Sequence, residues 1–279
     1  MMRYDRITLG SLDYCLYHYG NSKIRFRGPR PDFKRPYVVF LGSTETFGKF
    51  VPQPFSQMVC ERLNMACANF SALNAGLEMY LRDPSVLQAC AQARVTVIGI
   101  CGAHNLSNRY YKVHPRRNDR FLSPSDMLRT IYRDVDFGDI HYTQHLLDTL
   151  AKGGPERFDL VETELKAAWT ARMKTLLETI KGKKILLWMA HHAPPDAMDE
   201  RPDDTLFQPP AFVDQPMMDE ISGYASGVVE CIANPQSLAQ GTDGMVFAPG
   251  QEAAAAALPG PAFHAQAADQ LGNVLRTLV

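Results

Sequence analysis

The stretch Tyr37-Val-Val-Phe-Leu41, running straight into Gly42-Ser-Thr-Glu-Thr-Phe-Gly-Lys49, decides how this chain folds. Apolar residues in unbroken succession, with no polar alternation, describe a strand buried on both faces. A glycine closes it, and hydroxyl and carboxyl side chains follow at once. Short apolar runs recur at Met65–Phe70, Val95–Ile100, Lys184–Ala190 and Gly227–Ile232. Segments of helical spacing lie between them. Pro54–Leu63 puts Phe55, Val59 and Leu63 on one face. Asp83-Pro84 supplies a cap and a first-turn proline for a helix reaching Ala93. Buried strands alternating with helices predict an α/β fold: a three-layer sandwich around a central parallel sheet, flavodoxin-like in strand order.

Working outward, residues 1–36 read as an N-terminal arm and residues 37–279 as a single α/β domain. The arm carries Arg25, Arg27, Arg30, Lys34 and Arg35 among prolines. Two roles stay open for it: a cover over the domain, or a contribution to an anion or partner site. A helical insertion is expected at about 103–183, with helices near His141–Lys152 and over Glu156–Lys181. Residues 192–215 have the proline and aspartate content of a loop, and Ala253–Ala257 reads as a helix face or linker.

Bulk properties narrow the function classes. Of 279 residues, 46% are apolar, which sustains a core without disulfide or metal staples. A net charge of −1 provides no global field for nucleic acid or an acidic membrane. The six cysteines form no C-x-x-C pair, so they read as reduced thiols of a cytoplasmic protein and not as a zinc site. Met1–Gly10 has no apolar core of a signal peptide, and Ile185–Ala190 is far too short to span a membrane. The expected partner is a small molecule, with no cofactor, metal, nucleic acid or membrane; association with a second copy is left open.

In an open parallel sheet, ligands bind beyond the carboxyl ends of the strands. That directs attention to residues 42–49, 102–120 and 191–200, and to His264 at the head of the last helix. The Gly42 segment departs from a phosphate-binding loop. Its Gly42-to-Gly48 spacing is one residue too long, and Phe50 stands where a metal-holding Ser or Thr belongs. It does present hydroxyls on a turn after a buried strand, where backbone N–H groups can form an oxyanion hole. The bland alternative is that Ser43 and Thr44 only cap the turn.

The same segment resembles the first block of the SGNH hydrolases, in which a strand ends in Gly-Asp-Ser followed by an aliphatic residue, Thr and a later Gly. On this chain Gly42 takes the Gly position, Ser43 the Asp position and Thr44 the nucleophile position, with Thr46 and Gly48 trailing. Ser43 is the fallback nucleophile. In Asn69-Phe-Ser-Ala-Leu-Asn-Ala-Gly76, Gly76 is the nearest match to the glycine whose N–H supports the oxyanion. In Gly102-Ala-His-Asn105, Asn105 lies one position beyond the family's Asn, and His104 occupies the expected position. In Pro259-Gly-Pro-Ala-Phe-His264, His264 matches the catalytic His, but Pro261 stands where the orienting Asp belongs. Glu45 is a substitute carboxylate. The resemblance implies an ester hydrolase or acyltransferase acting on a small or carbohydrate-linked ester. Thr44 or Ser43 would be the nucleophile, His264 the base, and Gly76 and Asn105 the oxyanion donors. The runs Phe26–Pro29, Gly42–Thr46, Asn105–Arg109 and His114–Arg120 also resemble an uncharacterised bacterial family of about this length, which implies no known activity.

A second constellation is the basic segment around Arg109, Arg116, Arg117 and Arg120, flanked by Tyr110 and Tyr111. Arginine forks bind carboxylate, phosphate or sulfate bidentately. The segment reads either as an anion-holding loop or as a structural hub pairing with Asp119, Asp126, Asp134 and Asp136. It supports the alternative functions: a transferase or binding protein for a phosphate- or sulfate-bearing ligand. A catalytically inactive SGNH-like binding protein is the third reading. His191-His192 reads as a solvated pair, since neighbouring side chains diverge in extended chain.

Overall fold

The computed structural model describes residues 12–196 and 207–279. The N-terminal charges at Arg3, Asp5 and Arg6 and part of the proline-rich loop lie outside the described residues. Strands β1 (Tyr17–His18) and β2 (Arg25–Phe26) form a short antiparallel ribbon in the arm. The main sheet comprises β3 (Tyr37–Leu41), β4 (Ala66–Asn69), β5 (Val95–Gly99), β8 (Lys184–Ala190) and β9 (Gly227–Ile232). Strands β6 (Tyr111–His114) and β7 (Arg117–Pro124) make a separate hairpin. The helices are α1 (Thr44–Phe47), α2 (Phe55–Arg62), α3 (Leu77–Leu81), α4 (Pro84–Gln92), α5 (Asp126–Ile131), α6 (Thr143–Ala151), α7 (Pro155–Thr179), α8 (Gln215–Ser222), α9 (Pro235–Gln240), α10 (Glu252–Ala256) and α11 (Pro261–Leu275).

The sheet order is β4-β3-β5-β8-β9, and each neighbouring pair is parallel. This is the flavodoxin-like arrangement that the apolar runs predict. Alternate side chains of β3 go to opposite layers, which explains its lack of polar alternation. Val39 and Leu41 join the core with Trp169 and Met217, whereas Val38 and Phe40 join Phe55, Phe263 and Leu271. Each large side chain buried this way contributes roughly 1.5–3 kcal/mol. Trp169 is wholly buried, and its indole N–H donates to the Cys101 carbonyl at 2.8 Å, fixing α7 to the loop after β5.

Asp83 caps α4 by accepting from the Val86 N–H, with Pro84 in the first turn. The segment between β5 and β8 contains the helices α5, α6 and α7, but it starts with the hairpin instead of an open loop. Tyr111 and Val113 point into the core from β6 while Lys112 between them is exposed, so period-two alternation marks the element. No helix of the described residues is long and apolar enough to cross a membrane. All six cysteines are free thiols.

Candidate functional site

Strand β3 is interior to the sheet, and its carboxyl end turns at Gly42 into α1. The Gly42 N–H donates to the Tyr80 hydroxyl at 3.0 Å, and that hydroxyl donates back to the Gly42 carbonyl at 2.5 Å. One phenol thus pairs with both backbone polar groups of the buried Gly42. Thr46 then wedges between β3 and β5. A Cβ on either Gly42 or Gly99 would meet its hydroxyl at 2.2 Å, so both positions admit only glycine without rearrangement.

This packing fixes Thr44, the first residue of α1, in a polar network. Its hydroxyl donates to Asn74 Oδ1 at 3.1 Å and accepts from the Asn74 N–H at 2.9 Å. Asn74 adopts a left-handed conformation with φ 53°, which aims both groups at Thr44 and which asparagine tolerates better than most residues. Asn105 donates through Nδ2 to the Asn74 carbonyl at 3.3 Å, while its Oδ1 accepts from Thr143 at 2.6 Å. The Asn74 amide also reaches Asp119 Oδ2 at 3.5 Å. Contributions from the ends of β3, β4 and β5, from β7 and from α6 therefore meet at one point. Thr44 and Asn105 are 8% and 6% exposed, so the network is buried.

Several expected residues sit differently. Gly76 lies beside this network, but its N–H is taken by Asn118 Oδ1 at 2.9 Å and is not free for an oxyanion. The glycine is needed because a Cβ would lie 1.9 Å from the Asn105 carbonyl. Gly76→Ala is therefore expected to cost about 1–3 kcal/mol in urea denaturation, as overpacked sites do. A change below about 0.5 kcal/mol, the size of an ordinary surface effect, would contradict that close approach. Ser43 is half-buried at the N-terminal boundary of α1, and its side chain makes no cap hydrogen bond.

His264 is buried in α11 against Phe55 and Gly48. Its Nδ1 accepts the first N–H of α2 from Phe55 at 3.2 Å, and its Nε2 has no hydrogen-bond partner among the described residues. Neither nitrogen hydrogen-bonds to Thr44 or Ser43. The ring is held neutral, its pKa pushed down to about 3 by burial and then by the Arg27 charge. Glu45 turns the other way from Thr44, into a cavity of about 40 Å³ shared with His191 and Phe263. Burial raises its carboxyl pKa. A cavity of about 270 Å³ lies at the outer edge of β4.

The arginine segment is dispersed by the hairpin. Arg109 is ion-paired with Glu164, and Arg120 lies over the Tyr142 ring at 4.1 Å. Arg116 and Arg117 are exposed at the hairpin turn. The expected pairing with Asp119, Asp126, Asp134 and Asp136 does not form among the described residues, and Asp134 pairs instead with Arg157. In the histidine pair, His191 is exposed and His192 half-buried, with its ring against Trp188. The His191 ring lies near Phe263, and His192 Nε2 is buried without a hydrogen-bond partner among the described residues.

Asn74, Asp119 and Thr143 are the site residues that sequence reasoning missed. Asn74, two positions before Gly76, carries no periodic signal, and its side-chain partners Thr44 and Asp119 lie 30 and 45 residues away.

Comparison with known proteins adds a family and a set of distant folds. The model of a family described as domain of unknown function (DUF6473) matches residues 2–279. No curated protein matches the chain. Among solved structures, it is similar to a carbohydrate esterase family 2 enzyme with a carbohydrate binding domain from Corynascus thermopiles (Myceliophthora fergusii). That likeness has 11% identity, covers 90% of this chain and 68% of the other, and has a TM-score of 0.43. The lipase Lip_vut3 from a goat rumen metagenome gives 13% identity, 85% and 95% coverage, and a TM-score of 0.43. A family two carbohydrate esterase from Clostridium thermocellum, in complex with cellohexaose, gives 11% identity, 91% and 67% coverage, and 0.43.

Proposed function

The chain belongs to the DUF6473 family of unknown function, and we propose that it is an SGNH-like ester hydrolase or acyltransferase with Thr44 as nucleophile. The observation that carries this reading is the hydroxyl of Thr44 at the carboxyl end of β3, held by Asn74 with the Asn105 amide alongside. A small or carbohydrate-linked ester suits a site built from neutral hydrogen-bonding groups with one carboxylate, Asp119, in the network.

In this reading the substrate displaces the Asn74 side-chain amide from Thr44. The Thr44 oxygen bonds to the ester carbonyl carbon, and its proton passes to the Asp119 carboxylate. The carbonyl oxygen becomes an oxyanion, which accepts from the Asn74 N–H and the second Nδ2 hydrogen of Asn105. The carbon–oxygen bond to the alcohol then breaks, and the alcohol leaves with the proton from Asp119. Water or a second alcohol resolves the acyl-threonine by the reverse sequence. His264 takes no part in this sequence, because its Nδ1 already serves α2.

One observation favours a second reading, a binding protein without turnover. The Thr44 hydroxyl is satisfied as both donor and acceptor by a single asparagine, and no imidazole nitrogen bonds to it. Fluorophosphonate labelling followed by mass spectrometry separates the two. Modification at Thr44, lost in Thr44→Ala, is the expected result. No labelling, together with thermal stabilisation by an acetylated oligosaccharide, would establish the binding reading instead.

A further inference from the structure

We propose that the cavity at the outer edge of β4 is a second ligand site, one that takes the phosphate or sulfate group of a small molecule. The cavity holds about 270 Å³ between the arm, α2 and the edge strand. That is close to the lower end of small-molecule pockets. It is distinct from the Thr44 network, none of whose members lines it.

Three features make its wall positive. Arg30 and Arg35 line it, and neither guanidinium has an ion pair or side-chain hydrogen bond among the described residues. Elsewhere, Arg62, Arg109, Arg157 and Lys174 all have carboxylate partners. Arg27 stands behind them with its charge balanced by carbonyls alone. The third feature is the start of α2. It has no acidic residue in its first turn, and its N-cap residue, Pro54, offers no side-chain acceptor; the first N–H, of Phe55, is taken by His264 Nδ1. Among the described residues the Ser56 N–H finds no acceptor, and the Ser56 hydroxyl accepts from Asn69 but donates to none. Helix starts with free N–H groups favour anions, and guanidinium forks match tetrahedral oxyanions.

Two carboxylates also border the cavity. Glu61 lies at the far end of α2 and is held by the Gln53 and Gln57 amides, and Asp32 accepts the Lys34 N–H. Three guanidiniums against two carboxylates leave the lining net positive; the arm carries all three cations and also Asp32, and Glu61 stands on α2. A phosphate or sulfate group at the arm side and the start of α2 leaves the rest of its molecule toward Met65 and Cys67.

Calorimetric titration of the full chain with inorganic phosphate, and separately with sulfate, tests this. Saturable one-site binding is expected, weakened at least about tenfold in Arg30→Ala/Arg35→Ala, as loss of charge-assisted bonds implies. It should be unchanged in Lys34→Ala, a nearby exposed cation outside the lining, and in Thr44→Ala. The thermal transition of the double variant, whose side chains are exposed, verifies that it folds. The stronger of the two anions identifies the group recognised. No saturable binding of either anion, or equal weakening in Lys34→Ala, overturns the proposal. Because Thr44→Ala should bind normally, failure of the ester reading leaves this result standing, and the converse also holds.

Discussion

Replacing Arg27 with alanine is expected to remove about 3–5 kcal/mol of stability, the scale seen when a buried charged network loses one member. Arg27 is 5% exposed and has no carboxylate partner among the described residues. Its Nη1 donates to the carbonyls of Phe47 at 2.9 Å and Gly48 at 2.5 Å, and its Nη2 to those of Val51 at 2.7 Å and Pro52 at 2.9 Å. The Tyr14 and Phe47 rings face the same cation at 5.1 and 5.7 Å. Burial pushes its pKa down to about 10, so it is still charged at neutral pH. Alanine would strand several carbonyls in a dry interior, each costing about 1–3 kcal/mol if left unpaired. Relaxation of the loop keeps the total below their sum. Against a typical stability of about 5–15 kcal/mol, this approaches global unfolding. Arg27→Lys should fall between the two, since an ammonium has three donors and no planar fork. Exposed Arg25 is the control, with an effect of about 0.5 kcal/mol or less on replacement by alanine. Urea denaturation of the three variants gives the order, and an Arg27→Ala loss no larger than that of Arg25→Ala would show that the clamp is not what fixes the loop.

The clamp also shows where the sequence stops being informative. The sheet was legible because strands buried on both faces must read as unbroken apolar runs, and Val38–Leu41 and Ile185–Ala190 do so. The α4 cap was legible because Asp83 and Pro84 act within one turn. Arg27 was visible only as one charge in a basic arm. Its carbonyl partners lie 20 to 25 residues away and are backbone, which no residue type announces. His264 was read from its place at a helix start, but α11 buries alanines and leucines on the same side, and that side packs on α2. The Thr44 turn was found because a hydroxyl follows a buried strand. Its surroundings were not, because Asn74, Asn105 and Asp119 are brought together by the hairpin, an element that the dense arginines of residues 116–120 disguised as a loop.

Asp119→Asn is expected to lower the ester turnover number by about 10² to 10⁴, the range for loss of a general base. Asp119 is half-buried on β7 and takes part in no ion pair among the described residues. Within the Thr44 network it is the carboxylate, one asparagine amide away from the hydroxyl. The asparagine replacement keeps shape and hydrogen-bonding capacity but cannot take a proton at neutral pH. Binding of an unreacted ester should therefore persist, with the loss falling on kcat and leaving KM nearly unchanged. The melting temperature should stay close to that of the parent, since no ion pair is broken. Asp126→Asn provides a matched control, because Asp126 lies in the first turn of α5 outside the network. Three measurements then divide the outcomes. Activity lost in both Thr44→Ala and Asp119→Asn supports nucleophile and base together. Activity lost only in Thr44→Ala keeps the nucleophile and requires the proton to go elsewhere. Activity retained in Thr44→Ala removes the ester chemistry from this site, whatever Asp119 does.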